Sequence, residues 1–193
     1  MIQGNYARVT KLPVNEQASR LLVASLNTSF NTLREDEKLS SVLNEEFIKI
    51  IAINNKINVG MKEADPVSIG STWLLKCEKN HHFHYHTFDD DDALSYRKVL
   101  FFSDGGFTLE FFCLNHSTGK AADYIEKFVI KEASIVELEF DGRIVHRFRP
   151  VDEGKLFAYS IHIKDLSAEN DAAKTQTHQV TDIPPQQEKR IVV

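Results

Sequence analysis

A cluster of histidines is the part of the sequence best suited to chemistry. Four of the eight histidines lie within residues 81–86. Neutral imidazoles bind first-row transition metals such as iron, copper, nickel and zinc. In a β-strand, alternate side chains point to opposite faces, so His82, His84 and His86 would share one face and the odd-numbered residues the other. The sequence leaves open which of the two faces is the inner one.

A further candidate ligand, His146, lies in the segment 141–150. Alternation along a strand would place His146 on the same face as Ile144 and Phe148, whereas the arginines at 143, 147 and 149 would point the other way. Burial among apolar side chains would keep the imidazole neutral and able to bind a metal. We therefore predict that His84, His86 and His146 bind a first-row divalent metal. The alternative is that these are half-buried histidines with ordinary hydrogen-bond partners.

The elements that must position these histidines differ between the two halves of the chain. Between Pro13 and Gly60 there is neither glycine nor proline, and apolar residues recur at helical spacing. This pattern predicts two amphipathic helices within residues 15–57, with apolar stripes that begin at Leu22 and at Leu39 and with Asn15 as the first N-cap.

The second half has the composition of β-strands, since eleven of the thirteen phenylalanines lie within residues 83–157. Polar turns divide it into short segments. The predicted strands are 68–78, 82–88, 96–103, 106–114, 124–130, 134–140, 143–148 and 156–163. Short strands without intervening helices favour an antiparallel sandwich or jelly roll. The predicted fold class is mainly β: a jelly roll (double-stranded β-helix) with two N-terminal helices, forming one domain over 1–165, followed by a flexible C-terminal tail over 166–193.

Composition excludes several classes of function. The chain has 193 residues and a formal net charge of −5, which disfavours binding to nucleic acid or to anionic lipid. Its apolar stretches fall short of the ~20 residues that a membrane-spanning helix needs, and no signal peptide is recognisable. We therefore expect a cytoplasmic protein with a small-molecule substrate and no nucleic-acid or membrane partner. A homo-oligomer is left open.

Three segments between residues 73 and 163 resemble the double-stranded β-helix oxygenases that use iron and 2-oxoglutarate, in particular the prolyl-hydroxylase-like branch. The segment 96–102 is similar to the basic-then-apolar strand that follows the first metal ligands of that family. The segment 105–109 resembles its Gly-Gly-x-x-Leu turn. The most specific match is His146, followed by Pro150-Val151 and Gly154, which resembles the family's block of distal histidine, Pro-Val and glycine.

The resemblance implies a site for Fe(II), or for another first-row divalent metal, made of a His-x-Asp or His-x-Glu pair and the distal histidine. His86 and His146 are the corresponding histidines in this chain. Phe88 occupies the position of the family's acidic residue. Asp89 is displaced from that position by one residue, and the cupin motif considered below would use Asp90 or Asp91 instead, so whether one of these three aspartates completes the site is left open.

The resemblance also implies that a basic residue just after the glycine of the block binds the carboxylate of 2-oxoglutarate. Lys155 is the nearest basic residue, although Leu156 occupies the expected position. A second resemblance is to the cupins, whose His-x-His motif is similar to His84-Tyr85-His86, with His146 as the remote ligand. Three interpretations remain open: an Fe(II)/2-oxoglutarate-dependent dioxygenase, a cupin-like three-histidine metal protein, and a non-catalytic jelly-roll module that binds a partner.

Overall fold

A computed structural model of the chain describes residues 1–32, 73–77, 79–88, 96–115, 117–118, 120–161, 175–180 and 184–193. These residues contain one helix and fourteen strands. The helix is α1 (Glu16–Thr32). The strands are β1 (Ile2–Gln3), β2 (Ala7–Lys11), β3 (Trp73–Cys77), β4 (His84–Phe88), β5 (Tyr96–Ser103), β6 (Phe107–Phe112), β7 (Leu114–Asn115), β8 (Lys120–Ala121), β9 (Tyr124–Ile130), β10 (Ile135–Asp141), β11 (Val145–Pro150), β12 (Leu156–Ile161), β13 (Thr175–Gln179) and β14 (Gln187–Val192).

The strands form two six-stranded sheets and a short β7–β8 ladder. Sheet one has the order β1-β2-β10-β5-β12-β3, and sheet two has the order β13-β4-β11-β6-β9-β14. Neighbouring strands are antiparallel, except that β14 runs parallel to β9. Strands adjacent in the sequence generally alternate between the two sheets, which is why residues distant in sequence become neighbours in each.

The hydrophobic core lies between the two sheets. The ring of Phe101 in sheet one lies 4.8 Å from that of Phe148 in sheet two, and Phe140 and Phe111 meet in the same way at 5.5 Å. Apolar side chains from both sheets form one continuous buried cluster. The architecture is therefore mainly β, with two facing sheets, as the dense aromatic pattern of the second half predicted.

Helix α1 confirms the first helix prediction. The side chain of Asn15 accepts a hydrogen bond from the backbone N–H of Ala18 at 2.8 Å, as expected of an N-cap. The hydroxyl of Ser19 donates to the carbonyl of Ser103 at 2.7 Å and ties the helix to β5. The described residues contain this one helix where two were expected; the second predicted stripe, over 39–51, lies outside the described residues. No helix in the described part of the chain is both long and apolar enough to cross a membrane.

The sequence predicted a flexible C-terminal tail over 166–193, whereas the described residues of this segment include two paired strands. Strand β13 pairs with β4, and β14 pairs with β9. Ile191 and Val193 pack against the core cluster. The polar composition of this segment did not indicate strands, because an edge strand is held by backbone hydrogen bonds and exposes many of its side chains. The N-terminal strands β1 and β2 were also missed; they are two and five residues long.

Candidate metal centre

Three histidines converge where strands β4 and β11 lie side by side in sheet two. His84 and His146 are directly paired across the two strands, and His86 lies two residues further along β4, on the same face as His84. The ring centroids of His84 and His146 are 4.3 Å apart, and the ring of His86 lies 5.2 Å from each of the other two. We call His84, His86 and His146 the triad.

The triad has the dimensions of a site that could hold a metal ion. One ligand nitrogen from each histidine lies within 4.8 Å of the others. Two nitrogens bound to the same ion at the usual ~2.0–2.1 Å cannot be more than about 4.2 Å apart. Nitrogens at the upper end of this range must therefore move toward each other to bind one ion. The three histidines predicted from the sequence as metal ligands thus form one group, within the described residues, that could hold a metal ion.

Backbone carbonyls orient two of the three rings. Nδ1 of His146 lies 2.8 Å from the carbonyl oxygen of Ile144, and Nδ1 of His84 lies 3.2 Å from that of His82. A carbonyl oxygen only accepts, so Nδ1 donates in both cases and the neutral ring keeps its lone pair on Nε2. Metal-binding histidines are commonly oriented in this way by a hydrogen bond from the nitrogen that does not bind the metal.

The third ring is oriented by strand β13. Nδ1 of His86 lies 3.1 Å from the hydroxyl of Thr177. The neighbouring residue His178 stacks on Tyr85 at 5.0 Å and hydrogen-bonds the hydroxyl of Thr87 at 2.8 Å, which secures β13 against β4. The segment expected to be a tail thus supplies a side chain that positions a candidate ligand. Thr177 belongs to no recognisable motif, so the sequence alone did not indicate its contact with His86.

Burial keeps the triad in the neutral form that metals bind. Burial lowers the pKa of His84 to about 4 and that of His86 to about 3, with a further decrease for His86 from the charges of His84 and Arg97. The pKa of His146 is also lowered well below its usual value, mainly by burial. All three rings therefore carry a free lone pair at neutral pH without first losing a proton.

The surroundings of the triad are apolar on one side and open on the other. His146 is 1% exposed, and its ring contacts those of Phe140 at 4.7 Å and Phe148 at 5.2 Å. His84 and His86 are only half-buried. The site thus lies at the margin of the core, with His146 buried and the two histidines of β4 partly exposed. The predicted inward orientation of His146 is confirmed.

A fourth histidine lies close to the triad. The ring of His81 is 5.0 Å from that of His84, and its Nδ1 is 3.1 Å from the carbonyl oxygen of Phe148. Strand alternation assigned His81 to the opposite face from His84. That assignment does not hold because β4 begins only at His84, so the residues before it do not follow the alternation of the strand.

The structure does not bring Lys155 to the triad. Lys155 is exposed and lies 3.8 Å from a carboxylate oxygen of Asp104 in an ion pair. The position expected to be basic, Leu156, is fully buried in the core and pairs with Ser103. Asp89, Asp90 and Asp91 lie outside the described residues.

The register of sheet one shows how far Lys155 lies from the triad. Phe140, which touches His146, pairs with Arg97 near the start of β5. Lys155 immediately precedes Leu156, which pairs with Ser103 at the end of the same strand. Six residues of extended strand correspond to about 20 Å. Lys155 and the triad therefore belong to opposite ends of the sandwich.

Comparison with known proteins gives no family assignment. No protein-family model and no curated protein matches the chain.

Proposed function

We propose that the chain is a jelly-roll metalloprotein in which His84, His86 and His146 bind one first-row divalent metal ion, with Fe(II) as the favoured ion. We propose further that it is an oxygenase-like enzyme that acts on a small molecule. The observation that carries the proposal is the convergence of three neutral imidazoles whose Nδ1 atoms are already engaged in hydrogen bonds.

The strand order supports the jelly-roll part of the proposal. Counting β3, β4, β5, β6, β9, β10, β11 and β12 as strands one to eight, sheet one contains the order 1-8-3-6 and sheet two the order 2-7-4-5. Eight strands interleaved in this way between two facing sheets correspond to a jelly roll. The triad lies on the second and seventh strands, which are neighbours in this arrangement.

The number of protein ligands supports a catalytic role. Structural metal sites are usually closed by four protein ligands, whereas catalytic sites often use three and leave a position open. Within the described residues, the triad contributes three ligands. A bound iron would supply the capacity to activate dioxygen, and Phe140 and Phe148 would exclude water from the inner side of the site.

The geometry favours the cupin-like interpretation over the 2-oxoglutarate-dependent one. Both ligands on β4 are histidines in a His-x-His arrangement, and Lys155, the candidate for binding 2-oxoglutarate, is ion-paired at the far end of the sandwich. The second candidate function, an Fe(II)/2-oxoglutarate-dependent dioxygenase, is supported by the similarity of the segment from His146 to Gly154 to the corresponding block of that family.

Metal analysis of the purified protein tests the proposal. We expect about one equivalent of metal per chain after anaerobic loading with Fe(II) or Co(II). His84→Ala and His86→Ala should lose most of this metal, whereas His82→Ala, which changes an exposed histidine beside the same strand, should retain it. Failure to bind metal under any loading condition would leave only the interpretation as a non-catalytic binding module.

Two further measurements separate the candidate reactions. Nitric oxide, a surrogate for dioxygen, should bind to the iron-loaded protein and give the electron paramagnetic resonance signal of a nitrosyl complex. Its absence in a protein that retains iron would refute an oxygenase. Calorimetric titration of the iron-loaded protein with 2-oxoglutarate should show no binding, and saturable binding would favour the second candidate instead.

A further inference from the structure

Strand β13 is the main partner of the strand that carries two of the three triad ligands. Strand β4, which bears His84 and His86, lies between β13 and β11 in sheet two. Five residue pairs join β4 to β13, whereas the described ladder between β4 and β11 contains the single pair His84–His146. One further backbone bond on this side runs from the N–H of His86 to the carbonyl of Gly142. The position of β4 therefore depends more on β13 than on the strand that supplies the third ligand.

Two neighbouring residues of β13 hold the segment around His86 from both faces of the sheet. The hydroxyl of Thr177 lies 3.1 Å from Nδ1 of His86. The next residue, His178, points to the other face. Its ring stacks on that of Tyr85 at 5.0 Å, and its Nε2 lies 2.8 Å from the hydroxyl of Thr87. His178 thus contacts both residues that flank His86 in the sequence, while Thr177 contacts the imidazole of His86 itself.

Little apolar burial holds β13 in place. Its exposed residues are Gln176, Thr177 and Gln179. Within the described residues, none from β13 belongs to the core cluster between the sheets. Val180, which follows the strand, packs against a smaller cluster that includes Phe83 and donates its backbone N–H to the carbonyl of Phe83 at 2.8 Å. Segments with few buried apolar contacts open locally at a lower free-energy cost than the core does.

Strand β14, at the opposite edge of the same sheet, is attached in a different way. It pairs with β9 over six residues, and Ile191 and Val193 pack against the core cluster. The two edge strands of sheet two thus differ in what holds them. Packing into the core anchors β14, whereas β13 is held by its backbone ladder and by polar and aromatic contacts centred on a triad ligand.

We propose that β13 is a strap that regulates the metal centre: it docks on β4 and leaves it as a unit, and the docked form binds the metal more tightly. His178 is a positioning residue, which acts on His86 by holding the strap on β4. The coupling is reciprocal, so a metal ion bound to the triad favours the docked strap by the same factor by which docking raises metal affinity. This inference rests on the proposed metal centre and specifies how its affinity is regulated.

Hydrogen exchange, measured by mass spectrometry on the metal-free and the Co(II)-loaded protein, tests the effect of metal on the strap. Partners that orient a metal-binding histidine typically change metal affinity about 10–100-fold, so Co(II) should slow amide exchange over residues 175–180 by about tenfold or more. Strand β14 is the internal control. Because it is anchored in the core and has no contact with the triad, its exchange should change by less than about twofold.

Variants of His178 test the effect of the strap on metal affinity. His178→Ala removes the stack on Tyr85 and the hydrogen bond to Thr87 while all three ligands remain. It should bind Co(II) with the same stoichiometry but about tenfold more weakly, as measured by competition with a chelator. In the metal-free protein it should also speed exchange over residues 175–180. His178→Phe keeps an aromatic ring for the stack and should recover part of the affinity. Gln176→Ala, at an exposed position of the same strand, is the matched control and should bind Co(II) as the wild type does.

The results distinguish the strap from the metal centre. Slower exchange over residues 175–180 in the cobalt protein, together with weaker binding by His178→Ala, supports the strap. Cobalt binding that leaves this exchange unchanged, or wild-type affinity in His178→Ala, overturns the strap and leaves the metal centre in place. A wild-type protein that binds no cobalt overturns both. If His178→Ala does not fold, Thr177→Val decides: without the contact to His86, cobalt should no longer slow exchange in the strap, and an undiminished effect overturns the inference.

Discussion

The imidazole of His146 lies 4.3 Å from the imidazole of His84, ring centroid to ring centroid, and the two residues are direct partners across the antiparallel strands β11 and β4. This pairing brings together two segments that are far apart in the sequence. It places one ligand against the apolar core and the other at the margin of the site. A metal bound between them would therefore link two strands that belong to different parts of the chain.

Metal binding is expected to stabilise the folded protein. The triad exists only when β4 and β11 are paired, so an ion that binds it favours the folded state. At a free metal concentration of 100 times Kd, the free energy of unfolding should rise by about 2.7 kcal/mol. Thermal denaturation with and without Co(II) measures the effect. His82→Ala should respond as the wild type does, and an equal response in His86→Ala would show that the metal binds elsewhere.

Removal of the Thr177 hydroxyl should weaken metal binding. Thr177→Val keeps the shape of the side chain but removes the hydrogen bond to Nδ1 of His86, which then loses its preferred orientation. Loss of such a partner typically lowers metal affinity by about 10–100-fold. Competitive titration against a metal chelator measures the change. Gln176→Val alters the adjacent exposed residue of β13 and should have no effect; equal affinity of both variants would contradict a positioning role for Thr177.

The metal-free protein should lose stability in mild acid. The pKa of His84 is lowered from 6.5 to about 4, and that of His86 to about 3, both mainly by burial. Below pH 6.5 the unfolded chain therefore takes up protons that the folded chain does not, and the free energy of unfolding falls until the folded pKa values are reached. The slope is at most about 1.4 kcal/mol per pH unit for each histidine.

Urea denaturation of the metal-free protein between about pH 7 and pH 5 measures this slope. His84→Asn removes one of the titrating groups and should show a shallower dependence on pH. His82→Asn, at an exposed position, should show the wild-type dependence. A wild-type stability that does not change over this range would mean that the triad histidines bind protons as readily in the folded chain as in the unfolded chain, and that burial does not lower their pKa.

Glu110 is expected to be a major contributor to stability on the outer face of sheet two. Its side chain is 1% exposed and lies 2.6 Å from Nε of Arg147 and 3.1 Å from both Nη2 of Arg149 and Nζ of Lys127. Burial alone would raise the pKa of Glu110, but the charges and hydrogen bonds of Arg147, Lys127 and Arg149 together outweigh burial and lower it. Glu110→Gln would leave three cations close together without their shared partner.

The expected loss for Glu110→Gln is about 3 kcal/mol, in the range observed when one partner of a buried ion pair is removed. Urea denaturation measures it. Glu153→Gln breaks the exposed ion pair with Lys79 and should leave the unfolding midpoint unchanged. A similar midpoint for both variants would show that the Glu110 network is energetically neutral.

Gly4 is expected to tolerate no side chain. A Cβ at this position would collide with the carboxylate of Glu126 and approach Cζ of Phe128 to 2.7 Å. Glu126 cannot easily move because it is fully buried and accepts hydrogen bonds from the amides of Asn5 at 2.7 Å and Tyr6 at 3.0 Å. Gly4→Ala should therefore lower the free energy of unfolding by about 1–3 kcal/mol. At Gly105 the nearest atom to an added Cβ is 3.5 Å away, so Gly105→Ala is the control and should have a smaller effect.

Local patterns in the sequence predicted the elements and the direction in which key side chains point. The positions of the eight predicted strands agree with β3, β4, β5, β6, β9, β10, β11 and β12 to within a few residues. His146 enters the interior as strand alternation required. These features depend on a period of two residues and on turn composition, which are properties of neighbouring residues and can be read without knowing the fold.

Which strands lie beside each other was decided by the tertiary structure. The pairing of β13 with β4 brings Thr177 to His86, and Thr177 belongs to no recognisable motif. The position of β5 across the core brings Arg97 toward the triad. Lys155 was the candidate for binding 2-oxoglutarate because it directly follows Gly154 in the sequence, but it lies at the far end of the sandwich from the triad. Strand pairing depends on backbone hydrogen bonds and on packing across the core, and these join residues far apart in sequence. The sequence therefore determined the candidate ligands, and only the packed sheets determined which side chains surround them.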